Sequence, residues 1–175
     1  MKQTILLLTL LLMPLLAKKQ LAFDADEYHV SLNMALVYHT PYDILGNRTT
    51  GGGFTVALDK SLMHKAAFSL GGDIQTVWYA QTSADAAYSI TPRFRLGFHP
   101  LGLSVIRGEV PIAYHIDPYI MLKAGIHIDS RLDNPIYPAI SPITLGIRWY
   151  FSDTFALTFE SDSWYDLSLG VGFWF

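Results

Sequence analysis

From Tyr28 to Phe175, apolar and polar positions alternate with a period of two, in runs separated by Gly, Pro, Asn, Asp and Ser. That period belongs to a β-strand whose two faces meet different surroundings. The final run is the clearest: Tyr165, Leu167, Leu169, Val171, Phe173 and Phe175 share one face, and Asp166, Ser168, Gly170, Gly172 and Trp174 the other. Before it, Phe155, Leu157 and Phe159 oppose Ala156, Thr158 and Glu160, and Ile143, Leu145, Ile147, Trp149 and Phe151 oppose Thr144, Gly146, Arg148 and Tyr150. Ile120, Leu122, Ala124, Ile126 and Ile128 oppose Tyr119, Met121, Lys123, Gly125 and His127. Tyr88, Ile90, Phe94, Leu96 and Phe98 oppose Ser89, Thr91, Arg93, Arg95, Gly97 and His99. Upstream lie Phe68, Leu70, Ile74 and Trp78 against Ser69, Gly71, Asp73, Gln75 and Tyr79, then Phe54, Val56 and Leu58 against Thr55, Ala57 and Asp59. The first run sets Tyr28, Val30, Leu32, Met34, Leu36 and Tyr38 against His29, Ser31, Asn33, Ala35 and His39, which makes eight strands.

Alternation alone does not say where the apolar face points: toward a soluble core, or outward into lipid around a polar lumen. Composition tilts the choice. The 175 residues are 51% hydrophobic and 14% aromatic but only 15% charged, well under the roughly 25% of an average soluble domain. Beyond the first twenty positions no apolar run approaches the roughly 20 residues of a membrane-spanning helix. The strand runs are long enough for the roughly 9–11 residues that a tilted transmembrane strand needs. Aromatic residues collect at strand ends on the apolar face: Tyr38, Trp78, Tyr88 and Tyr165 at one rim, Tyr28, Phe98, Trp149, Phe151, Phe173 and Phe175 at the other, as an interfacial girdle requires. The expected fold is therefore all-β, an eight-stranded antiparallel up-and-down transmembrane β-barrel.

The N-terminal segment is expected to be an address. Lys2 gives a short positive region and Ile5 to Ala17 a 13-residue apolar core, the length of a signal-peptide core and too short to span a bilayer. Residues 1–22 read as a signal peptide, cut after Ala17 or Ala22, and 23–175 as the barrel domain. A cut after Ala22 removes three lysines and leaves 9 bases against 15 acids, about −6 by formal count, a balance that disfavours nucleic acid as a partner. Cysteine is absent, which excludes disulfides, thiolate metal sites and a cysteine nucleophile. With the first strand rising from the periplasm, residues 40–51, 81–87, 130–139 and 162–164 are expected outside the cell, and 62–66, 100–116 and 152–153 in the periplasm. The stretch 100–116, with Gly102, Gly108 and Pro111, reads as a long connection with some helix, because a ninth strand would break the even count usual for bacterial barrels.

The ending Leu169-Gly170-Val171-Gly172-Phe173-Trp174-Phe175 resembles the carboxy-terminal signature of bacterial outer-membrane proteins, carried by Leu169, Val171, Phe173 and Phe175. With the signal segment and the strand count, the chain looks like the small outer-membrane barrels of the OmpX, OmpA membrane-domain and OmpW type. The resemblance implies outer-membrane residence after Sec-type export, contact with outer-membrane lipid and insertion by the barrel-assembly machinery. It implies no single activity.

The polar face collects Asp59, Asp73, Glu160 and Asp166 against Arg93, Arg95, Lys123 and Arg148. An eight-stranded barrel is just wide enough inside for side chains to fill it, so these charges are expected to pair and plug the lumen. On that count interior charge balances. A structural or surface-interaction role follows, with a narrow OmpW-like channel for small solutes as the alternative and any extracellular ligand unspecified. No catalytic, metal or cofactor residues are assigned. His29, His99 and His127 fall on lumen positions, His64 and His115 in connections, and none makes an H-x-H or HExxH spacing. His39 and Asp43 occur at the extracellular rim, where a palmitoyl-transferring barrel would place a His and an Asp, and chance proximity explains the pair equally well. Gly51–Gly53 precede no phosphate-binding helix and are expected to give loop flexibility at a strand start, and Asn47-Arg48-Thr49 is a weak glycosylation match.

Overall fold

The computed structural model describes residues 28–37, 50–63, 66–80, 87–103, 115–130, 135–152, 154–162 and 166–174. The signal segment, Tyr38, His39, Asp43, Asn47, His64, Tyr165, Phe175 and residues 104–114 lie outside them. Eight strands follow one another: β1 (Tyr28–Val37), β2 (Gly51–Met63), β3 (Ala66–Tyr79), β4 (Ala87–Phe98), β5 (Ile116–Asp129), β6 (Ile136–Tyr150), β7 (Phe155–Asp162) and β8 (Asp166–Trp174). Each pairs antiparallel with its sequence neighbours, and β1 closes the barrel against β8, from His29↔Trp174 to Val37↔Asp166. Below, the end bearing Tyr28 and Trp174 is the lower end and the end bearing Val37 and Asp166 the upper end.

The eight expected strands are all present, with corrected bounds. β6 begins at Ile136, so residues 136–139 are strand and not connection. The cause is a bulge: Met121 pairs with Thr144 but Lys123 with Ser141, so β6 carries one extra residue at Pro142–Ile143. Inward positions are even below the bulge (Thr144, Gly146, Arg148, Tyr150) and odd above it, with Ala139 buried. Alternation read from one end therefore fails at the bulge, and Pro138 and Pro142 add to the look of a loop. Gly51–Gly53 are the first rungs of β2, opposite Tyr79 to Val77, rather than a flexible lead-in. A Cβ on Gly53 would sit 1.8 Å from the Thr76 carbonyl oxygen, so close approach is what requires glycine there. The connection from 100 opens with a 3-10 turn at Pro100–Gly102, and β5 already begins at Ile116. At the other short connection, Phe151 and Ser152 donate their N–H groups to the Phe155 carbonyl, at 3.0 and 3.3 Å.

The two faces of the wall have opposite character. Outward lie Leu32, Met34, Leu36, Phe54, Val56, Leu58, Ile74, Phe94, Ile120, Leu145, Leu169 and others of their kind, all substantially exposed. Inward lie His29, Asn33, Thr55, Asp59, Asp73, Arg93, Arg95, Asp117, Lys123, Arg148, Thr158 and Glu160, all buried. Lys60 is the one charged residue on the outward face of the described strands, and its ammonium stands over the Tyr28 ring at the lower rim, 5.0 Å from the centroid. The expected belt residues that are described lie at the two strand ends; Tyr38, Tyr165 and Phe175 lie outside the described residues. Trp78 faces Tyr88 and packs on Phe54 at the upper end, while Phe68–Phe98, Trp149–Phe151 and Phe155–Phe173 pack pairwise at the lower end.

Candidate functional site: the charged lumen

All eight charges assigned to the lumen from sequence point inward, and seven of them join one network. Arg93 stands directly opposite Asp73 on the neighbouring strand and donates Nε (2.8 Å) and Nη2 (3.3 Å) to its carboxylate. Arg95 is the hub. Its Nη1 reaches Asp73 (3.0 Å), its Nη2 Glu160 (2.6 Å), and its Nε lies 3.0 Å from Asp59. Arg95 and Lys123 are cross-strand neighbours of like charge, an arrangement that destabilises a sheet unless an anion intervenes. Glu160 supplies that anion from across the lumen, one oxygen to Arg95 and the other to Lys123 at 2.8 Å. Arg148 Nη2 donates to Asp59 (2.8 Å), and Nη1 lies 3.6 Å from its cross-strand neighbour Asp117.

Glycines make these reaches possible. Gly71 stands between Asp59 and Arg95 on adjacent strands, and Gly146 between Tyr119 and Glu160. With no side chain at the middle strand, the outer two partners meet over it: Arg95 with Asp59, and the Tyr119 hydroxyl with Glu160 at 2.7 Å. A Cβ at Gly71 would lie 2.4 Å from Asp59 Oδ1, and one at Gly146 2.1 Å from the Tyr119 ring. Gly170 does the same between Asn33 and Thr158, whose side chains are hydrogen-bonded.

The expected balance of four acids and four bases needs correction. Asp117, Asp129 and Asp162 also face inward and are buried, so seven acids face four bases among the described residues. Asp162 joins the network through Arg93 (2.9 Å), Lys123 (3.4 Å) and Thr144 (2.9 Å). Asp166 lies at the network's edge, within the attraction of Arg93 and Lys123. It stands opposite Asp162 and accepts a hydrogen bond from Gln75 at 3.3 Å. Two more steps of the same alternation from Tyr119, His127 and Glu160 would have found these acids; they fell in residues assigned to connections or just beyond the strands as read.

Three inward histidines stand at different heights. His29 packs on Trp174, which also stacks on Tyr150, so aromatic rings floor the lower end. His127 meets Thr91 near the upper end. His99 lies between Asp117, 2.9 and 3.0 Å from Nδ1, and the Ser69 hydroxyl, 2.9 Å from Nε2. A carboxylate on Nδ1 sets the tautomer that lets Nε2 accept from a serine, the connectivity of a nucleophile, base and orienting acid. The space around it is full. Ser69 and His99 are buried, and a Cβ on Gly97 would already lie 2.4 Å from Ser69 Oγ and 3.2 Å from His99 Nε2. In this geometry the trio ties β3, the end of β4 and β5 together at the lower end.

No family model matches this chain, and no curated protein matches it either.

Leu169, Val171 and Phe173, read from sequence as part of a terminal signature, point outward and pair with Met34, Leu32 and Val30 of β1. Among the described residues no three histidine or acidic side chains are grouped to hold a metal ion.

Proposed function

We propose that this protein spans a bacterial outer membrane, in a structural or surface-interaction role, with a lumen closed by its own ion pairs. The observation that carries the reading is the inversion of polarity: across the described strands an apolar outer face, with one charge at its rim, wraps around a buried ionic interior. Soluble monomers rarely expose contiguous apolar patches beyond a few hundred Å². A closed barrel in lipid satisfies every backbone group internally and leaves apolar side chains facing hydrocarbon, so the same surface becomes favourable. The aromatic belts sit where interfaces would lie, and Lys60 at the lower rim reaches toward headgroups as long cationic side chains do. Export through the segment 1–22 and insertion by the barrel-assembly machinery through the terminal signature complete the reading. It assigns no enzymatic step and no nucleic-acid partner.

A narrow conduit for small cationic solutes is the second reading, favoured by the surplus of carboxylates toward the upper end, Asp129, Asp162 and Asp166. Single-tryptophan variants folded into vesicles containing brominated lipid test the membrane reading. Bromine should quench Trp78 and Trp149, which face outward, and spare Trp174, which faces inward. Equal quenching of all three, or none of any, would contradict it.

A further inference from the structure

The upper mouth of the lumen holds polar groups that the ion-pair network does not use. Asp162 and Asp166 stand directly opposite each other on β7 and β8, an arrangement of like charges that destabilises a sheet unless a cation intervenes. For Asp162 that need is met, since Arg93, Lys123 and Thr144 all reach it. Asp166 is held differently. Arg93 and Lys123 attract it, but the hydrogen bonds they make go to Asp73, Glu160 and Asp162, and among the described residues no base lies within ion-pair distance of Asp166. Its direct partner there is the neutral amide of Gln75, which donates Nε2 from across the mouth at 3.3 Å.

Two acceptors lie beside this carboxylate. Ser168, two residues along the same inward face of β8, is 8% exposed, and its hydroxyl has no hydrogen-bond partner among the described residues. Gln75 is 7% exposed and, with Nε2 turned to Asp166, carries its Oε1 alongside. At the level of Ser168 the intervening strands β1 and β2 present Ala35 and Gly53, so nothing longer than a methyl group projects there. A buried hydroxyl without a partner and a carboxylate without a direct base are each unfavourable, and one added donor group would relieve both. The lumen already shows how it holds such a group: Lys123 Nζ sits among Glu160, Asp162 and Asp73 at 2.8, 3.4 and 3.8 Å. An ammonium has three N–H donors and takes three acceptors.

We propose that the upper mouth binds the primary ammonium group of a small amine, with Asp166 as its counter-ion and Ser168 Oγ and Gln75 Oε1 as its other acceptors. The proposal deepens the surface-interaction reading by naming the chemical class taken at the upper end, rests on that end facing solvent, and holds whether or not the lumen below conducts. A divalent metal ion fits less well, because Asp162 is committed to Arg93 and Lys123, which leaves one carboxylate where such an ion takes about six or more oxygens. A quaternary ammonium has the charge but no N–H for Ser168 and Gln75.

Ethylammonium chloride titrated into the refolded full-length barrel in non-ionic micelles, followed by backbone and side-chain amide shifts, tests the site. Saturable shifts should appear at Gln75, Asp166 and Ser168 and not at Thr158 deeper in the lumen. Ethyltrimethylammonium should bind about ten-fold or more weakly, since it forgoes two hydrogen bonds at about five-fold each. Ser168→Ala should weaken ethylammonium about five-fold, one net hydrogen bond, and Asp166→Asn should abolish saturation, while Lys60→Gln on the outer face leaves binding unchanged. Shifts that never saturate, equal affinity for the two amines, or unchanged binding in Asp166→Asn would overturn the site. Calcium chloride displacing ethylammonium at equal concentration would overturn the choice of an ammonium. If Asp166→Asn does not fold, Ser168→Ala carries the test with the two amines, and equal weakening of both overturns the hydrogen-bonded role. A barrel that reaches its heat-modifiable folded form and does not bind loses this site alone; one that never folds in micelles or vesicles loses the membrane reading and the site with it.

Discussion

Glu160 in the middle of the lumen and Asp166 at its upper end are inward acids on adjacent strands, yet they are held in different ways. Glu160 meets Arg95, Lys123 and the Tyr119 hydroxyl at 2.6–2.8 Å, and it is buried. Asp166 meets Gln75 at 3.3 Å, stands opposite another acid, Asp162, and is only partly buried. The difference follows from water. In the packed middle a carboxylate has no solvent to fall back on, and an unpaired buried charge is very unfavourable, so each acid there has a base within reach. At the end of the barrel solvent shares the load, and sequence is free to place acids in excess of bases.

That contrast ranks the consequences of mutation. Arg95→Ala should have the largest effect, since it leaves Asp59, Asp73 and Glu160 each short of a base in a dry site, a loss of about 3–5 kcal/mol or more. Arg148→Ala should come next, near the lower end of about 3–5 kcal/mol, because Asp59 keeps Arg95 while Asp117 keeps only His99. Denaturant midpoints of the folded barrel in detergent measure both; equal and negligible shifts would mean that the middle of the lumen is wet.

Gly146→Val sharpens the comparison from the packing side. The added side chain collides with the Tyr119 ring and pushes its hydroxyl from Glu160, an overpacking loss of about 1–3 kcal/mol. A midpoint at or above that of the parent chain would show that the reach across Gly146 is not needed. Asp166→Asn should do least, within about 0.5 kcal/mol in either direction, because the repulsion relieved from Asp162 offsets the attraction lost to Arg93 and Lys123. A loss as large as that of Arg148→Ala would erase the distinction between middle and end.

Much of this was legible along the chain because the side-chain period of a strand is local. Counting by twos assigned Asp59, Asp73, Arg93, Arg95, Lys123, Arg148, Glu160 and Asp166 to the lumen, and the structure turns every one of them inward. The same count failed where local rules are broken. At Pro142–Ile143 the bulge inverts the parity of β6, which hid the strand's upper half. Asp117, Asp129 and Asp162 were missed because strand ends were drawn short, and with them went the true charge balance. Contacts across the barrel were not legible at all: Arg95 and Glu160 lie on strands that are not neighbours, and their meeting depends on closure of the barrel. The Ser69–His99–Asp117 tie was hidden because it needs the register of three neighbouring strands, with His99 just past the end of β4.

Planar-bilayer conductance of the refolded full-length barrel shows whether paired charges fill the interior of a membrane barrel. The barrel should insert and give no stable single-channel current at neutral pH, with leak appearing only when Arg95 or Arg148 is replaced by alanine. Large, stable steps from the unaltered protein would contradict the plugged lumen and bring the cation conduit forward.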